Sequence, residues 1–192
     1  ADETRGVVTL EVEFDDRGRI VGTVDAFGNR TSIEHNLDAR TETVFDRAGQ
    51  PTVFAYDENG NILAETDALG QTKRYAYDAA GRLATFTDPL GNVTRREYDA
   101  DGRVTVLTDP LGNKTIYAYD ANGNQVSTTD PMGQTTTYVY DANNQRIATI
   151  DPLGRRTESR YDTAGNLTAS VNAAGQVTAQ YAYDATGNLR SL

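Results

Sequence analysis

The chain has 192 residues with no cysteine, no tryptophan and one histidine, and its 18 Lys+Arg against 28 Asp+Glu leave a formal net charge of −10. That balance argues against a nucleic-acid partner, because phosphate binding draws on a surplus of lysine and arginine, and the lack of thiols excludes disulfides and thiolate metal sites. Only 38% of residues are apolar; they are scattered, with no run of about 18 to insert in a membrane as a helix, so a thin sheet with one modestly apolar face is expected.

One motif orders the elements. Tyr56-Asp57, Tyr77-Asp78, Tyr98-Asp99, Tyr119-Asp120, Tyr140-Asp141 and Tyr161-Asp162 stand 21 residues apart, and Tyr183-Asp184 follows after 22. Self-similarity at a fixed period marks a repeat architecture. Nearer the N-terminus, Phe14-Asp15 and His35-Asn36 fall on the same grid with the letters changed. The expected organisation is a single array over 1–192: degenerate repeats at 1–55, regular ones at 56–171, and a truncated terminal repeat at 172–192.

Each repeat carries two turn signals. The first is Tyr-Asp-x-x-Gly, whose glycines are Gly60, Gly81, Gly102, Gly123, Gly165 and Gly187. Asn144 stands in for that glycine once, which Asn tolerates because it visits positive φ more readily than other side-chain-bearing residues. Around His35 both tyrosine and glycine are lost, with Ala39 in the glycine's place. The second signal is Asp-Pro-Leu-Gly, at Asp88–Gly91, Asp109–Gly112 and Asp151–Gly154, with Asp130-Pro131-Met132-Gly133 as a variant and Asp25–Gly28 and Asp67–Gly70 lacking the proline. Asp first, Pro second and Gly fourth suit a type I turn.

Between corners lie segments of six or seven residues rich in Thr, Val and Tyr, too short for three helical turns and suited to strands. The fold class is therefore all-β: stacked antiparallel hairpins, about 21 residues per repeat, forming an extended solenoid-like sheet. Sheets beyond about ten strands usually curl, so curvature is expected, with end strands that present edges for self-association. The extra residue between Gly175 and Tyr183 predicts a β-bulge within Thr178–Tyr181. Alternation puts Tyr75 with Tyr77, Tyr117 with Tyr119 and Tyr138 with Tyr140 on one face. Leu83, Val104, Leu167 and Leu189 return beside them, and the turn residues Leu69, Leu90, Leu111 and Leu153 are expected to fold over the same side.

Candidate chemistry is sparse. Asp57-Glu58-Asn59-Gly60-Asn61 offers oxygen ligands, but an EF-hand needs its glycine at position six and a distant bidentate Glu; turn chemistry accounts for these residues, and no metal or cofactor is expected. His35 has no nucleophile or paired acid in its motif and reads as a substituted ladder residue. No catalytic residue is expected. Tyr75, Tyr117 and Tyr138 are the candidate ligand-facing residues: aromatic rings stack on sugars, and they also pack across strands.

Gly70-Gln71-Thr72-Lys73-Arg74-Tyr75-Ala76-Tyr77-Asp78-Ala79-Ala80-Gly81-Arg82-Leu83, followed by Asp88-Pro89-Leu90-Gly91, resembles the Rhs or YD repeat of bacterial Rhs proteins, insecticidal toxin complex C components, wall-associated toxins and teneurins. The resemblance covers residue 14 to the end. It implies a spiralling sheet of hairpins, part of an Rhs-type β-shell that in toxin members encloses a C-terminal toxic domain. It also implies a secreted or cell-surface bacterial setting and, as partners, further repeats, an enclosed polypeptide, or a glycan or cell-surface ligand. The family's autoproteolytic aspartate block has no counterpart here, so no cleavage role falls on any residue.

Overall fold

The computed structural model describes residues 10–184 and 186–191. The parts of the expected array at 1–9, Ala185 and Leu192 lie outside the described residues. The chain forms two units, 1–95 and 96–192.

All regular elements among the described residues are strands. The first unit contains β1 (Glu11–Phe14), β2 (Ile20–Val24), β3 (Arg30–Asn36), β4 (Thr41–Phe45), β5 (Pro51–Tyr56), β6 (Ile62–Thr66), β7 (Thr72–Tyr77) and β8 (Leu83–Thr87), and β9 (Val93–Tyr98) begins in it. The second unit takes up the end of β9 and continues with β10 (Val104–Thr108), β11 (Lys114–Tyr119), β12 (Gln125–Thr129), β13 (Thr135–Tyr140), β14 (Arg146–Ile150), β15 (Arg156–Tyr161), β16 (Leu167–Val171) and β17 (Val177–Gln180). Within each unit every strand pairs antiparallel with the next, as stacked hairpins require. β18 (Ala182–Tyr183) and β19 (Leu189–Ser191) form a separate two-stranded sheet.

Both corner types close the same way. At Asp109–Asn113 the Gly112 N–H donates to the Asp109 carbonyl at 3.0 Å and the Asp109 N–H to the Asn113 carbonyl at 2.9 Å. Gly112 has φ 86°: a type I turn followed by a left-handed residue, a common three-residue hairpin loop. Beyond the corner the two kinds of hairpin differ. At second corners before the last the register runs straight, as in Val106↔Ile116, Leu107↔Thr115 and Thr108↔Lys114. Paired threonines close three of them: Thr23 with Thr31, Thr66 with Thr72 and Thr129 with Thr135, at 2.7 to 2.9 Å. At first corners the register slips, as between Ala118↔Ser127 and Tyr119↔Gln125, which leaves Val126 as the additional residue of a bulge.

The repeat at His35 departs from the other first corners. Asn36 pairs directly with Thr41 and the register holds back to Ser32↔Phe45 without a bulge. The left-handed residue is Arg40, φ 51°, not Ala39: four residues, 37–40, span the turn, and Arg40 donates to the Leu37 carbonyl at 3.3 Å. The expected bulge in the last long strand is present, since Ser170↔Ala179 and Val171↔Val177 leave Thr178 as the extra residue.

Packing is thin. Among the described residues the buried apolar side chains are Ala148, Ala169 and Val171. Ala148 pairs with Val139, and Ala169 with Arg160, so both lie on the face opposite the tyrosines, where small side chains let neighbouring strands cover them. The turn leucines correct the sequence reading. Leu69, Leu90, Leu111 and Leu153 are 79 to 88% exposed. The Leu111 N–H donates to Asp109 Oδ1 at 2.9 Å, which pins the leucine backbone at the tip of the loop and sends its side chain off the sheet. Stability rests on ladders and cross-strand pairs of about 0.2–1 kcal/mol each, added repeat by repeat.

Candidate functional site: the tyrosine and aspartate corners

The aspartate of each first corner is committed to its own loop. Asp120 Oδ1 accepts from the N–H groups of Asn122 and Asn124, both at 2.9 Å, and Oδ2 from Asn124 Nδ2 at 2.9 Å. Asp57 repeats this with Asn59 and Asn61, Asp162 with Ala164 and Asn166, and Asp184 with Thr186 and Asn188. Arginine replaces the amide after Asp78 and Asp99, where Arg82 Nε and Arg103 Nε reach Oδ2 at 2.7 Å. Asp141 holds the N–H groups of Asn143 and Gln145.

Hydrogen bonds to the ionised form favour it. The Asn124 side chain and backbone hold Asp120 below the usual carboxylate range, and the Asn61 side chain and backbone do the same for Asp57. The Thr186 hydroxyl, with the Asn188 and Thr186 N–H groups, brings Asp184 down to about 2. Gly60, Gly81, Gly102, Gly123, Gly165 and Gly187 all have positive φ, and Asn144 takes the same conformation at 62°. No group of three or more His, Asp or Glu gathers for a metal among the described residues.

The tyrosines do something that sequence reasoning missed. Tyr77, Tyr119, Tyr140 and Tyr161 each donate the hydroxyl to a backbone carbonyl 15 residues earlier: Ile62 at 2.9 Å, Val104 at 2.9 Å, Gln125 at 3.0 Å and Arg146 at 3.2 Å. The acceptor opens the returning strand of the preceding hairpin, beside its bulge. Ladder pairing with the next strand starts only further along, at Val106 in β10, and the phenol supplies the donor that the ladder does not.

The same interval holds where the tyrosine is lost. His35 Nε2 lies 2.8 Å from the Ile20 carbonyl, again 15 residues back, and Nδ1 lies 2.8 Å from Glu42 Oε1. Tyr56 instead donates to Glu42 Oε2 at 3.0 Å, and burial together with that carboxylate pushes its phenol up to about 12. Tyr98 ends β9, and Tyr183 pairs with Leu189 in the small sheet.

The candidate ligand-facing tyrosines are half-buried and engaged within the sheet. Tyr75 donates to Glu65 Oε2 at 3.1 Å and its ring lies 5.5 Å from Phe86. The Tyr138 ring carries the Arg146 guanidinium at 5.4 Å. Tyr117 is paired across the strands with Thr128.

Successive first corners are also linked side chain to corner. Arg103 Nη1 donates to the Asp120 carbonyl at 3.2 Å, Asn124 Nδ2 to Asn144 Oδ1 at 2.7 Å, and Gln145 Nε2 to the Gly165 carbonyl at 2.9 Å. The signal was present in the sequence: a long or amide side chain directly follows the left-handed residue in each of these three repeats.

Among solved structures, the chain is similar to TcdB2-TccC3-Cdc42 (15% identity, TM-score 0.40) and to TcdB2-TccC3 without its hypervariable C-terminal region (15%, 0.39). It is also similar to a Photorhabdus luminescens Tc holotoxin pore (16%, 0.37). Each alignment covers 94% of this chain and only 16% of the other. The search of curated proteins gave no match. The family profile described as RHS Repeat matches residues 56–93, 77–114, 119–156 and 161–192, well over half of the sequence. The chain belongs to the RHS repeat family.

Proposed function

We propose that this chain is a non-enzymatic wall segment of an Rhs-type shell, working outside the producing cell, which encloses or presents another polypeptide. In this family setting the cargo is a C-terminal toxin of a bacterial delivery or competition system. The carrying observation is where the repeated polar groups go: corner carboxylates are filled by their own loops and tyrosine hydroxyls by backbone carbonyls of the preceding hairpin. A motif used this way builds surface area, and repetition extends it. Further repeats continue the wall, and an outer strand such as β1 offers an edge for pairing with a neighbouring chain.

The test is protease protection in the native polypeptide that contains this array. The enclosed polypeptide should be cut many-fold more slowly than the same polypeptide freed from the array. Equal rates would remove the enclosure reading. Binding to a glycan array that disappears in Tyr117→Ala or Tyr138→Ala, with the fold retained, would replace it by an adhesion module.

A further inference from the structure

His35 differs from the tyrosines that hold the equivalent place: both of its ring nitrogens meet oxygens that only accept. Nε2 faces the Ile20 carbonyl on β2 and Nδ1 faces Glu42 Oε1 on β4, each at 2.8 Å. The other carboxylate oxygen of Glu42 already accepts from Tyr56 on β5 at 3.0 Å. A carbonyl has no proton to give, and neither has an ionised carboxylate. A neutral imidazole has one N–H and the imidazolium two, so only the charged ring bonds both neighbours.

We propose that His35 makes the joint between hairpin β1–β2 and hairpin β3–β4 a proton-operated clasp. With the ring doubly protonated, Glu42 and Ile20 are tied together through it. On deprotonation the remaining proton stays at Nδ1, against the carboxylate, because a charge-assisted bond is the stronger of the two. The bare Nε2 then confronts the Ile20 carbonyl lone pairs, and the corner end of the first hairpin is released. The second-corner end stays closed by Gly22↔Ser32, Thr23↔Thr31 and Val24↔Arg30, so the motion is a local splaying.

The surroundings are defined. Arg17 from the β1–β2 corner, with Glu34 and Asp38, shares a cleft of about 580 Å3 with the ring. Arg40, Glu42, Tyr56, Asp57 and Glu58 line a second, of about 310 Å3. The His35 side chain itself is 12% exposed. Two joints on, between hairpins β5–β6 and β7–β8, the equivalent place is held by Tyr77, whose hydroxyl donates to the Ile62 carbonyl.

Amide hydrogen exchange on the whole chain, corrected for intrinsic pH dependence, tests this between about pH 5 and 8. Exchange over the corner 15–20 should accelerate several-fold as pH rises, while the matching corner 57–62 should not respond. His35→Tyr should abolish the response and keep exchange slow throughout. In the unmodified chain, ring 15N shifts should show both nitrogens protonated at the acid end and Nδ1–H alone at the other. Identical pH profiles for the wild-type and His35→Tyr corners, or a neutral ring protonated at Nε2, would overturn the clasp.

Discussion

Each letter of the Tyr-Asp pair has its own partner, and the two partners differ in how visible they are. The aspartate's role is legible from sequence, because its acceptors serve N–H groups two and four residues on and the turn signal spells that out. The tyrosine's role is not. Its hydroxyl meets a carbonyl 15 residues back, in the stretch of β10 that precedes the ladder to β11, which starts at Val106. Register, which no local pattern of Tyr119 reports, creates the acceptor. Tyr119→Phe should therefore cost about 1 kcal/mol, the net worth of a typical hydrogen bond, since this one is part-buried. Tyr117→Phe, which removes a hydroxyl from a packing ring, should stay within about 0.5 kcal/mol. Urea denaturation of both variants measures the contrast, and equal losses would contradict the anchor.

The hairpins were legible as elements because each corner encodes its geometry in four residues. The exceptions show what the letters omit. Asn144 was readable as a left-handed stand-in, but not as the acceptor for Asn124 Nδ2 at 2.7 Å. Asn144→Ala loses both conformational tolerance and bond and should destabilise by about 1–2 kcal/mol. Asn144→Gly regains the conformation while losing the bond and should fall clearly short of that; thermal melts that rank glycine at or below alanine would refute this account. At His35 the repeat grid puts Ala39 in the glycine's place, whereas the left-handed residue is Arg40. With no glycine at position 39, a longer loop carries the strain on Arg40 and the bulge disappears, an exchange between loop length and register that spacing alone does not reveal. The turn leucines were misplaced for a related reason: period places them at the corner, but only the loop's hydrogen bonds set the direction of the side chain.

At the scale of the whole molecule, low apolar content goes with few buried apolar side chains among the described residues, and the consequence is dependence on many small polar contacts. The depressed corner carboxylates, Asp57, Asp78, Asp99, Asp120, Asp162 and Asp184 among them, act together on acid stability. An unfolded Asp titrates near 3.9, and folding lowers these values, to about 2 at Asp184. The stabilisation is therefore complete above about pH 4 and is lost as pH falls through the folded values. The melting temperature should hold above that point and drop toward pH 2; a flat profile would show that the corner bonds carry no stability. The 15-residue reach of the tyrosine hydroxyl has a further, genetic consequence. Each anchor joins a fixed place in one repeat to a fixed place in the one before, so deleting or duplicating a whole 21-residue repeat puts an equivalent carbonyl opposite every hydroxyl. Recombination between repeats can thus lengthen or shorten the array in register, whereas a deletion that is not a whole number of repeats, and that falls between a carbonyl and its hydroxyl, breaks that anchor.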